Sequence, residues 1–211
     1  MPPGRGSGWR RRVGRFREDG PGAVEPSDEE LCRRVADRDA QAFDLLVERH
    51  QARAYRLACS IVGDEADARD VSQEAFIRLY QSAGQFDARA RFSTWFHRIL
   101  VNLCIDHQRR NRWWRRLVQL SVSGSETGEP AIDPPSSEPG PESDAIRNQS
   151  IGKLRGLLAK LSPKQRAAVL LQVQEGLSSR EIAAVLECSE NTARVHVHRG
   201  IMELRKALKR E

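Results

Sequence analysis

Residues 191–199, NTARVHVHR, contain side chains that can hydrogen-bond to the edges of nucleic-acid bases. An arginine guanidinium matches guanine and an asparagine amide matches adenine, each through two hydrogen bonds in the major groove. Helical spacing puts five candidates on the exposed side of one helix: Asn191, Thr192, Arg194, His196 and Arg199. The alternative is an ordinary basic helix end that faces solvent, and the neighbouring elements favour the DNA-reading interpretation.

A short helix and a tight turn precede this segment and would present it. Ser178 and Glu181 form a capping box, which predicts the start of a short helix. Residues 188–189 break that helix, and a longer basic helix follows. This order predicts a helix-turn-helix, although the turn lacks the glycine often found there. Further along, Lys206 and Lys209 would contact phosphates, which position a protein on DNA without specifying a sequence.

Charge is distributed unevenly along the 211 residues. Residues 145–211 contain thirteen basic and six acidic side chains, a net charge of +7, whereas residues 117–144 contain six acids and no base. Residues 1–26 carry a net charge of +3 and have no apolar run, so we expect a disordered basic arm there. A basic C-terminal third behind an acidic spacer is typical of a polyanion-binding domain on a tether.

The periodicity of apolar residues predicts an all-α fold with two small domains, residues 27–116 and 145–211. Ser27 and Glu30 form a capping box at the start of the first domain, and Gly63 suits the end of a helix. Residues 117–144 are rich in Ser, Gly, Glu and Pro and contain too few apolar side chains for a core. That composition predicts a flexible acidic linker between the domains.

The sequence contains no pattern of residues that indicates an enzyme, a metal site or a membrane protein. Its four cysteines form no CxxC pair, and three of them lie on or beside apolar helical positions, which predicts free thiols in a reducing cytoplasm. His196 and His198 are two residues apart on a predicted helix and would point to different faces. No apolar run is long enough to span a bilayer. We therefore expect no catalytic residue, cofactor, metal or membrane insertion.

The predicted third helix, DARDVSQEAFIRLY at residues 67–80, carries polar side chains on one flank. Asp67, Asp70 and Glu74, with Gln73 beside them, recur at spacings of three and four. Such a flank is either a solvated acidic face or a docking surface for a basic partner.

Residues 92–114, FSTWFHRILVNLCIDHQRRNRWW, predict an amphipathic fourth helix whose aromatic residues mostly face inward. Thr94, Arg98, Asn102 and Arg109 form the opposite, polar stripe, and the arginines that follow would contact phosphates if DNA binds. Trp113 and Trp114 lie beyond the periodic pattern and have no predicted core partner.

Two motif blocks resemble a known family. DVSQEAF, followed by FSTWFHRILVNLCIDHQRR, resembles the first conserved domain of bacterial sigma factors, and the C-terminal half is similar to their promoter-reading fourth region. With two domains and a short linker, the chain resembles the extracytoplasmic-function group of the sigma-70 family, over roughly residues 27–116 and 145–208. The C-terminal half also resembles the DNA-binding domain of response regulators, but residues 27–116 do not predict their α/β receiver.

The sigma-factor resemblance implies a cytoplasmic alternative sigma factor that binds RNA polymerase core, directs it to specific promoters and helps melt the −10 region. It implies that Asp70, Gln73 and Glu74 bind the β′ clamp helices, with the β subunit also a partner. It implies that the fourth helix and the loop at 84–91 capture the −10 element, and that the C-terminal domain reads the −35 element. The −10 candidates are Phe86, Arg98, Asn102, Arg109 and Arg110. An anti-sigma factor is a further implied partner.

Three alternatives stay open on the sequence. Phe86 is either an anchor for its loop or a wall of a base pocket. The whole chain is either a sigma factor or a stand-alone helix-turn-helix regulator that binds duplex DNA without core polymerase. A protein adaptor without DNA binding is a third possibility, and the +7 domain with its turn motif argues against it.

Overall fold

The computed structural model describes residues 25–87, 89–122 and 152–209, with all their side chains except those of 115–122. Every regular element in these ranges is helical, which confirms the predicted all-α fold. The helices are α1 (Asp28–Ala36), α2 (Ala40–Val62), α3 (Glu65–Ser82), α4 (Phe92–Val122), α5 (described over 152–159), α6 (Pro163–Val173), α7 (Ser179–Leu186) and α8 (Glu190–Leu208). Nearly all of the predicted basic arm and most of the predicted linker lie outside the described residues.

The helix starts follow the predicted caps. The Ser178 hydroxyl accepts a hydrogen bond from the backbone N–H of Glu181, and the Glu181 carboxylate accepts one from the backbone N–H of Ser178; an equivalent box opens α6 at Ser162. The box at Ser27 is only half formed, because Glu30 supplies its backbone N–H but turns its carboxylate toward Arg33. Each cap satisfies amide groups that a helix start leaves without an intrahelical partner.

The first domain packs α1 to α4 around a core that includes Leu31, Leu57, Leu79, Phe92 and Leu100. The rings of Phe92 and Phe96 stack in this core with centroids 5.8 Å apart. All four cysteines are free. Burial raises the pKa of Cys32 to about 11 and that of Cys104 to about 12, so both thiols stay protonated near neutral pH. Cys59 and Cys188 are only half-buried.

The fourth helix is longer than predicted. It continues through 117–122, six residues into the segment predicted as linker, because nothing in that stretch interrupts helical geometry before Val122. The last buried side chain along its described part is Ile105, and polar contacts to α2 and α3 continue as far as Asn111. We name residues 109–114, whose side chains are exposed apart from that of Asn111, the projecting end of α4.

The second domain forms the predicted helix-turn-helix from α7 and α8, with α6 packed against α8. Glu187 ends α7 in the left-handed conformation, with φ 52° and ψ 52°. Glycine is the residue that usually adopts this conformation, because it does so without steric cost. Here Glu187 adopts it instead, and the turn forms without a glycine.

The two domains pack against each other. Helix α7 contacts α4, α6 contacts α2, and the buried apolar side chains of both domains belong to one continuous cluster. In the described ranges, no helix combines the length and apolar character needed to cross a membrane.

Candidate nucleic-acid and polymerase interfaces

Helix α8 presents most of its predicted base-contacting residues to solvent. Asn191, Thr192, Arg194 and Arg199 are exposed. Ser189 caps the helix by accepting from the Thr192 backbone, and the two hydroxyl oxygens lie 2.8 Å apart. Arg194 pairs with Glu190 one turn earlier. Of the two arginines, Arg199 is thus the one without an ion pair among the described residues.

His196 differs from the other candidates, because it is half-buried between α8 and α6. Burial, followed by the positive charges of Lys164 and Arg199, lowers the pKa of His196 below its ordinary 6.5. A neutral imidazole has one donor and one acceptor nitrogen, so His196 can accept a hydrogen bond as well as donate one.

Three exposed apolar residues on α8 escaped the sequence analysis. Val195 is 38% exposed, Met202 is 50% exposed and Leu208 is 59% exposed. Val195 lies four residues after Asn191 and four before Arg199, so it is in the middle of the exposed side of the helix. An apolar side chain there suits the methyl group of thymine. The position of Val195 between Asn191 and Arg199 is the sequence feature that could have identified it as a base contact.

Helix α3 carries the predicted polymerase-binding residues on its outer side. Asp70 and Gln73 are exposed, and Glu74 is half-buried in a 2.9 Å pair with Arg78. Asp67 is turned inward instead, where its carboxylate lies 2.8 Å from Nε2 of His107. Asp67 therefore stabilises the packing of α3 on α4 and does not belong to the outer acidic flank expected from the sequence.

Ile77 is a further residue of this surface that the sequence analysis missed. It is 50% exposed and follows Gln73 by four residues, so it extends the same face. We name Asp70, Gln73, Glu74 and Ile77 the docking stripe. An exposed apolar side chain among polar ones is typical of protein interfaces, and Ile77 was overlooked because it lies off the core-facing pattern of α3.

The polar side of α4 borders a cavity of about 580 Å³. Arg98 is exposed and Asn102 is half-buried at its wall. Together with Arg109, about two turns beyond Asn102, they form what we name the strand stripe. The other lining residues are Glu74, Arg78, Gln81, Ser82, Gln85, Ile99 and Glu187. The cavity thus brings the strand stripe next to the end of the docking stripe.

Phe86 does not line that cavity. Its ring packs 5.2 Å from the ring of Trp95 and 6.2 Å from that of Phe92, both between centroids. Phe86 is half-buried in this aromatic group, where it anchors the loop between α3 and α4. This geometry favours the anchor among the two roles expected for it.

The projecting end of α4 combines basic and aromatic side chains. Arg109 and Arg110 are exposed, and Asp106 is 4.0 Å from Arg109 in a solvent-exposed pair. Trp113 is 59% and Trp114 is 57% exposed, with their rings edge to face and centroids 5.1 Å apart. Trp113 follows Arg109 by four residues, so it continues the strand stripe.

Two family models match the chain in this order: Sigma-70 region 2 over residues 46–114 and Sigma-70 region 4 over residues 151–204. The ECF RNA polymerase sigma factor SigE of Mycolicibacterium smegmatis is 36% identical over 187 residues, covering 86% of this chain and 69% of that protein. The chain belongs to the sigma-70 family of RNA polymerase sigma factors, in its ECF group. The RNA polymerase sigma-H factor of Pseudomonas aeruginosa is 32% identical, covering 88% and 95% of the two chains.

Solved sigma-factor structures share the fold. CnrH in complex with the cytosolic domain of CnrY aligns with a TM-score of 0.64 and 22% identity over 88% of this chain and 99% of that chain. RpoE in complex with the anti-sigma factor NepR from Bartonella quintana aligns with a TM-score of 0.57 and 22% identity over 81% and 98%. In this sigma factor, α1 to α4 contain region 2 and α5 to α8 contain region 4.

Proposed function

We propose that this ECF sigma factor binds RNA polymerase core, directs it to a specific promoter set and helps to melt the −10 region. The observation that carries the proposal is the presence of a region 2 and a region 4 on one chain, in that order, each with its own exposed polar surface. Those surfaces are the docking and strand stripes of region 2 and the outer side of α8 in region 4.

Region 4 reads the −35 element through α8. Arg199 and Asn191 contact base edges in the major groove, with Val195 between them against a methyl group, while Thr192, Arg194 and His196 border them. Lys206, further along the same helix, contacts a phosphate. Both arginine and asparagine make two hydrogen bonds to one base, and this pairing gives the helix its sequence preference.

Region 2 captures the melted −10 element through the strand stripe. Opening base pairs costs about 1–2 kcal/mol for each stacked step, and binding to the unpaired strand offsets this cost. Arg98 and Arg109 supply phosphate contacts, and the Asn102 amide hydrogen-bonds to an exposed base beside the cavity. Phe86 supports this site by fixing the loop next to it.

The strand contact continues onto the projecting end of α4. Arg109 and Arg110 lie there with two exposed indole rings, and basic groups interleaved with aromatic rings are typical of single-strand binding surfaces. Trp113 stacks on an unpaired base, and the arginines neutralise the adjacent phosphates.

The docking stripe binds core polymerase at the β′ clamp helices, with the β subunit as a second contact. Ile77 supplies the apolar centre of this surface, and Asp70 and Gln73 supply its polar border. The Glu74–Arg78 pair is solvent-exposed and contributes only about 0.3–0.5 kcal/mol, so a basic partner can replace Arg78.

An anti-sigma factor is a further partner in this proposal, supported by two structural relatives that are complexes with CnrY and NepR. The chain acts with core polymerase in the cytoplasm, and we assign no catalytic step, cofactor or metal to it. A stand-alone regulator of duplex DNA is not favoured, because such a protein needs neither the docking stripe nor a region 2.

Transcription by reconstituted holoenzyme tests this function. The chain is mixed with purified core polymerase and fragments of genomic DNA, and the transcripts are sequenced. We expect transcripts that start downstream of one shared pair of sequence elements and that are missing with core alone. If the chain neither co-purifies with core nor yields such transcripts, the proposal is wrong.

A further inference from the structure

A buried carboxylate joins the two domains. The side chain of Glu175, between α6 and α7, is only 3% exposed and lies against the first domain. Nε2 of His97 on α4 is 3.2 Å from one of its oxygens, and Arg53 on α2 pairs with the same oxygen. Arg53 also donates to the backbone carbonyl of Glu175 at 3.4 Å. None of these three residues has a part in the proposed DNA or polymerase contacts.

The ionised form of Glu175 is favoured by its neighbours. Burial alone would raise the pKa of Glu175, but the hydrogen bond and charge of His97 and the charge of Arg53 outweigh burial and lower it. A carboxylate that leaves water is stable only if such partners replace its hydration. This pairing separates Glu175 from ordinary surface ion pairs, which contribute little.

A second buried cation crosses the same boundary. Nη1 of Arg166 on α6 donates to the backbone carbonyl of Ile61 at 2.6 Å, and Gln108 donates to the same oxygen. Ile61 is in the last turn of α2, where carbonyls lack intrahelical partners and the helix dipole is negative. Burial, and then the charge of Arg112, lowers the pKa of Arg166. Gln174 adds a 2.9 Å hydrogen bond to Ser60.

This packing places region 4 next to the strand stripe. Nε of Arg98 lies 3.6 Å from the carboxylate of Glu187, and Arg91 lies 3.3 Å from that of Glu181. Glu181 belongs to α7 and Glu187 is its C-terminal cap, so α7 and its cap occupy one side of the cavity at which Arg98 and Asn102 would hold DNA. Helix α8 faces away from α4 and stays exposed.

We call the arrangement in which region 4 packs on region 2 closed. It is incompatible with simultaneous contact to both promoter elements. Elements at −10 and −35 are centred about 25 base pairs apart, or about 85 Å along B-form DNA at about 3.4 Å per base pair. Helices α6 and α7 each contact both α4 and α8, so one layer of helices separates α8 from α4 and their DNA-binding sides lie about 20–30 Å apart, given helices about 10 Å wide. Region 4 must therefore leave region 2 before the protein reads a promoter.

We propose that Arg53, His97 and Glu175 form an intramolecular latch that holds this sigma factor closed, with Glu187 at the end of α7 against Arg98 of the strand stripe. The contacts that the latch blocks rest on the proposed function. The closed state itself can be measured without DNA or polymerase. Separation of the domains leaves Glu175 in water and releases Arg98 from Glu187.

A cross-link across the boundary measures the closed state. Ser60→Cys with Gln174→Cys puts a thiol on each domain where the native side chains lie 2.9 Å apart. The half-buried thiols are removed by Cys59→Ser and Cys188→Ser, and a reducible bismaleimide is the reagent. We expect efficient intramolecular cross-linking of the free chain. Glu175→Gln and Arg53→Ala, each added to this background, should reduce the rate at least about tenfold, because loss of one partner leaves the other uncompensated.

Two matched variants serve as controls. Glu203→Gln removes an exposed acid of α8, and Arg33→Ala removes an exposed base of α1. Neither should change the cross-linking rate or the radius of gyration from small-angle X-ray scattering, whereas the latch variants should increase that radius. Arg53 is half-exposed, so Arg53→Ala tests the latch even if Glu175→Gln impairs folding of region 4.

The cross-linked chain then tests the consequence. We expect it to bind a random-sequence single-stranded 20-mer at least about tenfold more weakly and to recover after reduction, whereas core polymerase should bind both forms because Asp70, Gln73 and Ile77 stay exposed in the closed chain. Unchanged cross-linking in both latch variants, or equal DNA binding by the cross-linked and reduced chains, would overturn the latch. If the reduced chain binds neither core nor DNA, the proposed function fails instead, and the cross-linking rates still decide whether the latch exists.

Discussion

Gly200 of α8 faces Val169 of α6 so closely that a β-carbon on Gly200 would come within 2.6 Å of the Val169 Cγ2 atom. Real side chains do not approach to that distance, and the β-branched valine has few other rotamers. The carbonyl oxygen of Gln165 would also be only 3.4 Å from the new atom. Helix α8 therefore packs this closely on α6 only because position 200 has no side chain.

Gly200→Ala should destabilise region 4. Alanine favours a helix over glycine by about 1 kcal/mol, but overpacking costs about 1–3 kcal/mol, so the free energy of unfolding should fall by up to about 2 kcal/mol. Urea denaturation measures the change. Gly156→Ala on α5 is the matched control, since nothing lies within 4 Å of its β-carbon position. That variant should gain about 0.5–1 kcal/mol, and a similar gain for Gly200→Ala would contradict the close contact.

The sequence predicted those features that depend on short-range signals. Ser178 and Glu181 are three residues apart, and the cap they form depends on nothing else in the chain. The partners of Glu175 and Arg166 lie more than 75 residues away, so no local pattern announces them. The same holds for the lowered pKa of His196, to which the charge of Lys164 on another helix contributes. Exposed Ile77 and Val195 were missed because periodicity identifies the core and says nothing about apolar residues outside it.

The docking stripe should determine the affinity for core polymerase. We expect Ile77→Ala to weaken binding severalfold, and Asp70→Ala with Glu74→Ala to weaken it further, because apolar burial and charge pairing are both lost. Binding is measured by surface plasmon resonance with immobilised core. Asp44→Ala with Glu48→Ala removes two acids from α2 and should leave binding unchanged. Equal effects of the two double variants would indicate general electrostatics in place of a specific surface.

Arg199 and Lys206 should affect DNA binding in different ways. Arg199→Ala should cost about 1–3 kcal/mol on preferred sequences and relax the preference at one base pair. Lys206→Ala should weaken binding to all sequences alike. It should also reduce by about one the slope of the logarithm of the binding constant against the logarithm of the salt concentration. Sequencing of bound fractions from a random duplex pool separates the two effects. A uniform loss for Arg199→Ala would make it a phosphate contact.

The lowered pKa of His196 predicts a pH dependence of stability in region 4. Its folded-state pKa is below the ordinary 6.5, so the unfolded chain binds the proton more readily. The free energy of unfolding should therefore fall as pH decreases through about 6.5 toward the folded-state pKa. His196→Gln should flatten this fall between pH 7.5 and 5.5 in urea denaturation. His198→Gln, on the exposed side of the same helix, is the matched control.

The paired tryptophans at the projecting end of α4 should report directly on single-stranded DNA. Both indole rings are exposed, and they continue the strand stripe along α4, so DNA held by that stripe should reach them. Stacking on an unpaired base quenches indole fluorescence, and we expect a random single-stranded 20-mer to quench the emission of the full chain. Because one stacked base contributes about 1–3 kcal/mol, Trp113→Ala should weaken binding by about fivefold to a hundredfold.

Trp95→Phe separates this signal from the rest of the protein. Trp95 lies half-buried against Phe86, so its removal should lower the total emission without changing the absolute decrease that DNA causes. Arg109→Ala should weaken binding at 50 mM salt more than at 200 mM, since its contribution is electrostatic. If the double variant Trp113→Ala with Trp114→Ala binds the oligonucleotide as tightly as the unmodified chain, single-stranded DNA does not contact the projecting end of α4. The two indoles would then contact another partner.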